Sequence, residues 1–192
     1  MESHSSPPLI FPKLFGNTNP VEVEIGCGKG KFLVTRAEQN PHINFFGVDR
    51  AGKWMRMGAS KVERRKLTNI KFMKAIADQT FPDLIPAGEV SVFHIYFPDP
   101  WPKRKHQRRR LLQPAFFAVL HEKLKQGGMV EIATDEADYF ASIKKGIAET
   151  AKLWKQVREN INERIFAPEI KTNYELKYQS FGRTIYYLEL QK

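Results

Sequence analysis

Short apolar runs alternate with amphipathic stretches along most of this 192-residue chain. That alternation limits the fold more than any other feature does. "VEVEI" (21–25), "INFFGVD" (43–49), a short run within "NIKFMKAIAD" (69–78), "VSVFHIYF" (90–97), "MVEIAT" (129–134) and "RTIYYLEL" (183–190) read as strands. The fourth, rich in β-branched and aromatic residues, is the strongest. Between them, residues 31–40, 51–66, 109–128 and 136–152 have helical spacing. The third of these is closed by glycines, with Pro114 tolerable in its first turn. Strands alternating with helices predict an open, mostly parallel sheet covered on both faces.

Hydrophobic residues make up 42% of the chain, enough to bury a core. The length fits one domain over 1–192, with 1–13 expected to be a flexible N-terminal segment. No run is long and apolar enough to span a membrane, and the N-terminus does not read as a secretory signal. A single cysteine, Cys27, rules out an internal disulfide and a multi-cysteine metal site, so a cytoplasmic protein without a metal is expected.

In open sheets of this kind, ligands lie outside the carboxyl ends of the strands. Those ends carry Glu24, Asp49, Asp78, Asp99 and Asp135. A single acid there is commonly a helix cap; five on one rim point to a site. "EIGCGKG" follows the first strand, and Gly26 and Gly28 let the backbone turn and approach a ligand. The spacing is one residue short of the dinucleotide fingerprint, and Glu24 would repel a pyrophosphate. S-adenosylmethionine, with its ammonium and sulfonium, fits better, and Asp49 can accept its ribose hydroxyls. A nicotinamide dehydrogenase is disfavoured on the same grounds.

"FPDPWPKRKHQRRRL" (97–111) is a stiff loop leading into a cationic run. Its prolines forbid a helix or a central strand, and they limit the freedom of Asp99 beside the rim. Trp101 can stack on a base or pack on the following helix. The net charge is +10, from 31 basic and 21 acidic residues, and the basic ones cluster here and in "KVERRK" (61–66). Positive charge at a helix start opposes the macrodipole, so a nucleic-acid backbone is the natural partner.

Together, "VEIGCGKGKF", "FPDPWPKRKHQRRRL", "ATDEADY" and "IKTNYELKYQSFGRTIYYLEL" resemble the bacterial tRNA (guanine-N(7)-)-methyltransferases, from residue 14 onward. The resemblance implies the class I S-adenosylmethionine-dependent methyltransferase fold, Rossmann-like, with a seven-stranded sheet. It implies 7-methylguanosine in the variable loop of tRNA as the product, and no obligatory protein partner or membrane. Carried over residue by residue, it assigns Glu24, Asp49 and Asp99 to the cofactor, with Asp78 near a further acid. It assigns Lys103, Asp135, Thr172, Asn173, Tyr174 and Glu175 to substrate. It assigns Lys105, His106, Gln107, Arg108, Arg109 and Arg110 to RNA. Two positions depart from the family pattern. Asp49 replaces the usual Glu, and the adenine-side acid aligns with Ile76, leaving the backbone around Ala77 as the substitute.

Guanine nitrogen 7 has a free lone pair and needs no deprotonation, so positioning and electrostatics suffice. Asp99 or Asp135 would favour the positive charge the purine gains. Glu175 is the expected acceptor for guanine's N1–H and amino group. A methyltransferase acting on an exocyclic adenine amine and a nonenzymatic RNA-binding domain are the competing readings.

Overall fold

The computed structural model describes residues 7–192. Seven strands form one sheet: β1 (Val21–Ile25), β2 (Asn44–Asp49), β3 (Ile70–Lys74), β4 (Val90–Tyr96), β5 (Leu124–Thr134), β6 (Gln156–Ile161) and β7 (Tyr186–Gln191). Their order is β3-β2-β1-β4-β5-β7-β6. The first five run parallel, and β7 pairs antiparallel with both β5 and β6. The order reverses between β1 and β4, which opens the crevice where such sheets bind ligands. The helices are α1 (Phe11–Phe15), α2 (Lys31–Gln39), α3 (Gly52–Arg64), α4 (Phe81–Leu84), α5 (Pro114–Lys123), α6 (Ala137–Glu149) and α7 (Asn173–Ser180). None of the described helices is long and apolar enough to cross a membrane.

Three departures from the sequence reading have physical causes. The helix expected over 109–128 is confined to 114–123, with a 3-10 turn over Arg104–Arg109 before it. Leu124 already pairs with Val90, so β5 begins ten residues before Thr134, and a register shift absorbs the glycines. Two residues of the segment expected to be flexible touch the body of the fold. Phe11 is buried against Phe46, and Leu9 N–H donates to Leu84 O. Residues 1–6 lie outside the described ones.

Both faces of the central strands are buried, but they differ chemically. Val21, Val23 and Ile25 join an apolar core with Phe93, Ile95, Val130 and Phe117. The alternate positions place Glu22, Glu24, His94, Tyr96 and Glu131 on the opposite face, all buried. Over that face pack Phe32, Leu33 and Ile170, beside Tyr187 of β7.

Phe72 on β3 joins the glycine loop to its neighbours. A Cβ at Gly47 would lie 2.5 Å from the Phe72 ring and 3.0 Å from Cys27 Sγ, and one at Gly30 would lie 2.8 Å from the same ring. Gly58, which weakens α3 as a helix, packs against it too. Gly47→Ala should therefore destabilise the protein by about 1–3 kcal/mol through overpacking. Urea unfolding measures this, and adding Phe72→Leu should restore part of the loss. An unchanged midpoint for Gly47→Ala would show that the ring has room to move.

Candidate active site

The glycine loop leaves β1 and is tied to the end of β2. Gly26 N–H and Cys27 N–H both donate to Val48 O, at 2.8 and 3.2 Å. Gly26 and Gly28 have φ of 82° and 51°, a region that favours glycine. Among the described residues nothing lies within 4 Å of where either Cβ would be, so the loop faces open space there. Asp49 holds it there. Its Oδ2 accepts from Gly28 N–H at 2.8 Å and its Oδ1 from Ala51 N–H at 2.7 Å. Each oxygen retains further acceptor capacity.

Glu24 is the unusual group. It is buried, and its Oε2 has no hydrogen-bond partner among the described residues. Burial pushes its pKa up to about 8; His94 and Arg164 pull against that, and Asp49 and Glu175 add to it. A buried unpaired carboxyl oxygen beside an open glycine loop suits a cationic ligand. Cys27 is buried, and desolvation with Glu24 and Asp49 nearby pushes its thiol well up, away from the thiolate form. Past β3, the turn at 76–80 is closed by Ile76 N–H donating to Thr80 Oγ1 at 2.8 Å. Asp78 is exposed on it, and Ala77 is half-buried.

The proline loop is held at both ends in strained backbone. Phe97 and Trp101 have φ of 50° and 44°. Phe97 N–H donates to Ala133 O at 2.7 Å, and Arg110 Nε donates to Pro100 O at 2.8 Å. Asp99, exposed between them, faces Arg50 at 3.8 Å. The Phe97 ring packs on Tyr174 and Tyr178, at 5.7 and 5.4 Å between centroids. That contact sets the first turn of α7, with exposed Asn173 and Tyr174, beside the proline loop. Asp135, after β5, accepts from Arg183 Nη1 at 2.5 Å. Among the described residues no group of three His, Cys, Asp or Glu side chains is placed to hold a metal ion.

Two expected contacts must be corrected. Glu175 is 1% exposed and already fully engaged. It accepts from Thr172 N–H at 2.7 Å, Arg164 Nε and Nη2 at 3.0 and 2.5 Å, and Tyr187 Oη–H at 2.8 Å. Thr172 Oγ1 accepts from Glu175 N–H, completing a capping box. Glu175 therefore has no free oxygen for guanine, while Thr172 holds the segment as expected. Arg110 is likewise engaged within the protein rather than offered at the surface. It is 6% exposed, lies over the Tyr139 ring and donates to Asp138 Oδ2 at 2.5 Å. Gln107 also turns toward Asp138, at 3.2 Å. Lys103, Lys105, Arg108 and Arg109 are exposed, Arg109 over the face of Trp101 and His106 at its edge.

Sequence reasoning missed the layer beneath the rim. Arg36 pairs with Glu22 at 2.7 Å, and Glu22 lies 3.0 Å from His94 Nε2. His94 Nδ1 lies 2.9 Å from Tyr96 Oη, which donates to Glu131. Burial lowers the His94 pKa, but hydrogen bonds to Glu131 and Glu22 more than offset that and raise it. Arg164 caps this layer, 4.2 Å over the Tyr96 ring, and reaches Glu175. The alternation in "VEVEI" was the only visible signal, since it forces Glu22 and Glu24 onto one face.

An open sheet with a glycine loop after β1 and acids at the ends of β2, β4 and β5 is the arrangement of the class I methyltransferases. Solved structures agree on the fold. The 16S rRNA methyltransferase KamB superposes with a TM-score of 0.69 at 17% identity, covering 94% of this chain and 91% of that one. An antibiotic-related methyltransferase gives 0.65 at 18%, covering 95% and 92%. A family described as "Putative methyltransferase" matches residues 18–188. The tRNA (guanine-N(7)-)-methyltransferase of Rubrobacter xylanophilus is 33% identical over 189 residues, 98% of this chain and 84% of that protein. Its Bacillus subtilis counterpart is 33% identical over 178 residues, 93% and 83%. The chain belongs to the tRNA (guanine-N(7)-)-methyltransferase family.

Proposed function

We propose that this chain transfers a methyl group from S-adenosylmethionine to nitrogen 7 of a guanosine in the variable loop of tRNA. The substrate follows the names of the curated relatives. The observation that carries the cofactor is the unpaired, buried Glu24 Oε2 beside the open glycine loop. Glu24 would take the cofactor's ammonium, and Asp49 the ribose hydroxyls. The turn at Ala77 and Asp78 would border the adenine, and Asp99 would lie beside the sulfonium end. When bound, the cofactor supplies an electrophilic methyl group.

The chain's own task is to orient the base and stabilise charge. Guanine nitrogen 7 would take the methyl group on its lone pair as the methyl–sulfur bond breaks and the sulfonium leaves as a neutral thioether, and the purine would become more positive. Asp99 and Asp135 present negative charge at that point without moving a proton. With Glu175 committed to Arg164, Asp135, which neighbours the first turn of α7, is the carboxylate assigned to accept from guanine's N1–H and amino group. Arg183 fixes its position. Asn173 and Tyr174 form the exposed wall beside it, and Lys103 meets a neighbouring phosphate.

The test is incubation with labelled S-adenosylmethionine and unmodified tRNA, followed by digestion. Label should appear in 7-methylguanosine; label confined to an adenine nucleoside, or none, would overturn the reading.

Glu24 yields a second test. Between about 4.5 and 8 the ligand-free fold keeps a proton that the unfolded chain has lost, so this group lowers stability as pH rises. An ammonium docking on Glu24 reverses that by ionising it. At pH 6.5, binding of S-adenosylhomocysteine should release close to one proton, read by calorimetry in buffers of different ionisation enthalpy. Glu24→Gln should abolish the release. Equal heats in all buffers would remove Glu24 from the ammonium site.

A further inference from the structure

The exposed face of α3 has no role in the site described above, yet it is one of the most basic surfaces of the molecule. Residues 50–66 contain Arg50, Lys53, Arg56, Lys61, Arg64, Arg65 and Lys66 against the single acid Glu63. Among the described residues, only Arg65 of α3 and its C-cap has a carboxylate partner, Glu38 at 2.6 Å. Lys61 donates to Lys29 O at 2.9 Å, which brings the glycine-loop lysine onto the same face. Burial lowers the Lys61 pKa, and Arg65, Lys29, Arg64 and Lys31 lower it further. Like charges three and four positions apart on a helix destabilise it. Trp54 lies among these cations, 37% exposed, with Lys29 Nζ 4.7 Å and Lys53 Nζ 5.4 Å from its ring centroid.

Unpaired positive charge around an exposed indole suits an RNA strand, whose phosphates and bases meet both groups. The position agrees. α3 follows Asp49 on one side of the rim, and the exposed basic turn Lys103–Arg109 follows Asp99 on the other. The Arg50–Asp99 pair spans the gap between them. We propose that α3 is a second RNA-backbone surface, so that the substrate RNA is gripped on both flanks of the rim. This rests on the methyltransferase reading above.

The test uses Lys53→Gln, Arg56→Gln and Arg64→Gln together. All three side chains are exposed and make no ion pair with the described residues, so the fold should survive. Affinity for full-length tRNA should fall at least about tenfold, and the log–log salt slope should shrink by roughly two to three. Affinity for S-adenosylhomocysteine and turnover at saturating tRNA should not change. The conservative set Lys53→Arg, Arg56→Lys and Arg64→Lys should restore both affinity and slope. On a stem–loop bearing the guanosine but too short to reach α3, wild type and variant should behave alike. An unchanged salt slope on full-length tRNA overturns the proposal, as does a failure of the conservative set to rescue. A wild-type protein that methylates no tRNA would instead sink the reading it rests on.

Discussion

Glu175→Ala should destabilise the fold by about 3–5 kcal/mol, the range for removing one partner of a buried ion pair. The carboxylate ends a chain of contacts that no other residue can replace. Arg164 is 3% exposed in its side chain and would be left buried with Glu131, 3.8 Å away, as its remaining ion-pair partner among the described residues. Tyr187 Oη–H and Thr172 N–H would lose their acceptor, and α7 would lose half of its capping box. Urea unfolding reads the loss, and a double-mutant cycle with Arg164→Ala isolates the pair. A coupling near zero would mean that the pairing contributes nothing. The isosteric Glu175→Gln should also act on stability rather than on base choice. Enough α7 should remain docked in that variant for cofactor binding to survive at low temperature.

Asp135→Ala is expected to act on chemistry instead. Loss of a preorganised group facing developing charge commonly lowers turnover by about 10²–10³. Asp135 has the attributes of such a group: it follows the most buried part of β5, and Arg183 fixes it at 2.5 Å. Single-turnover methylation with saturating tRNA should show the full decrease, with cofactor affinity unchanged. Arg183→Ala should lower the same rate less, because it frees the carboxylate without removing it. A wild-type rate in Asp135→Ala would transfer the role to Asp99.

The parts of this protein legible in the sequence are local ones. Alternation of strand and helix patterns is written residue by residue, so the parallel core could be read directly. Gly26 and Gly28 could be read because a strand-to-helix turn needs residues tolerant of positive φ. The acids of the rim followed from where each strand stops. The edge strand β6 escaped notice because "QVRENI" is polar and exposed along nearly its whole length, with no buried face to leave a pattern. α7 escaped for a related reason: its apolar contacts are few, and its start is defined by a capping box whose acid has a second, distant partner.

Function assigned from residue type failed where long-range contacts decide what a side chain is free to do. Glu175 and Arg110 carry the right charge for guanine and for phosphate. Nothing within ten residues of Glu175 announces that Arg164 and Tyr187 occupy it, and nothing near Arg110 announces Asp138, which comes from α6. Conversely, Glu24 stood out in the sequence by its charge beside the glycine loop, not by its burial. Its burial and its unpaired oxygen arise only when β1 lies between β2 and β4, beneath Phe32 and Arg164. The order of charges and turns along the chain is thus a property of the sequence. Whether a charge is spent inside the protein or offered to a ligand depends on which distant groups folding brings within hydrogen-bond reach, because a buried charge without a partner is too costly to leave unsatisfied.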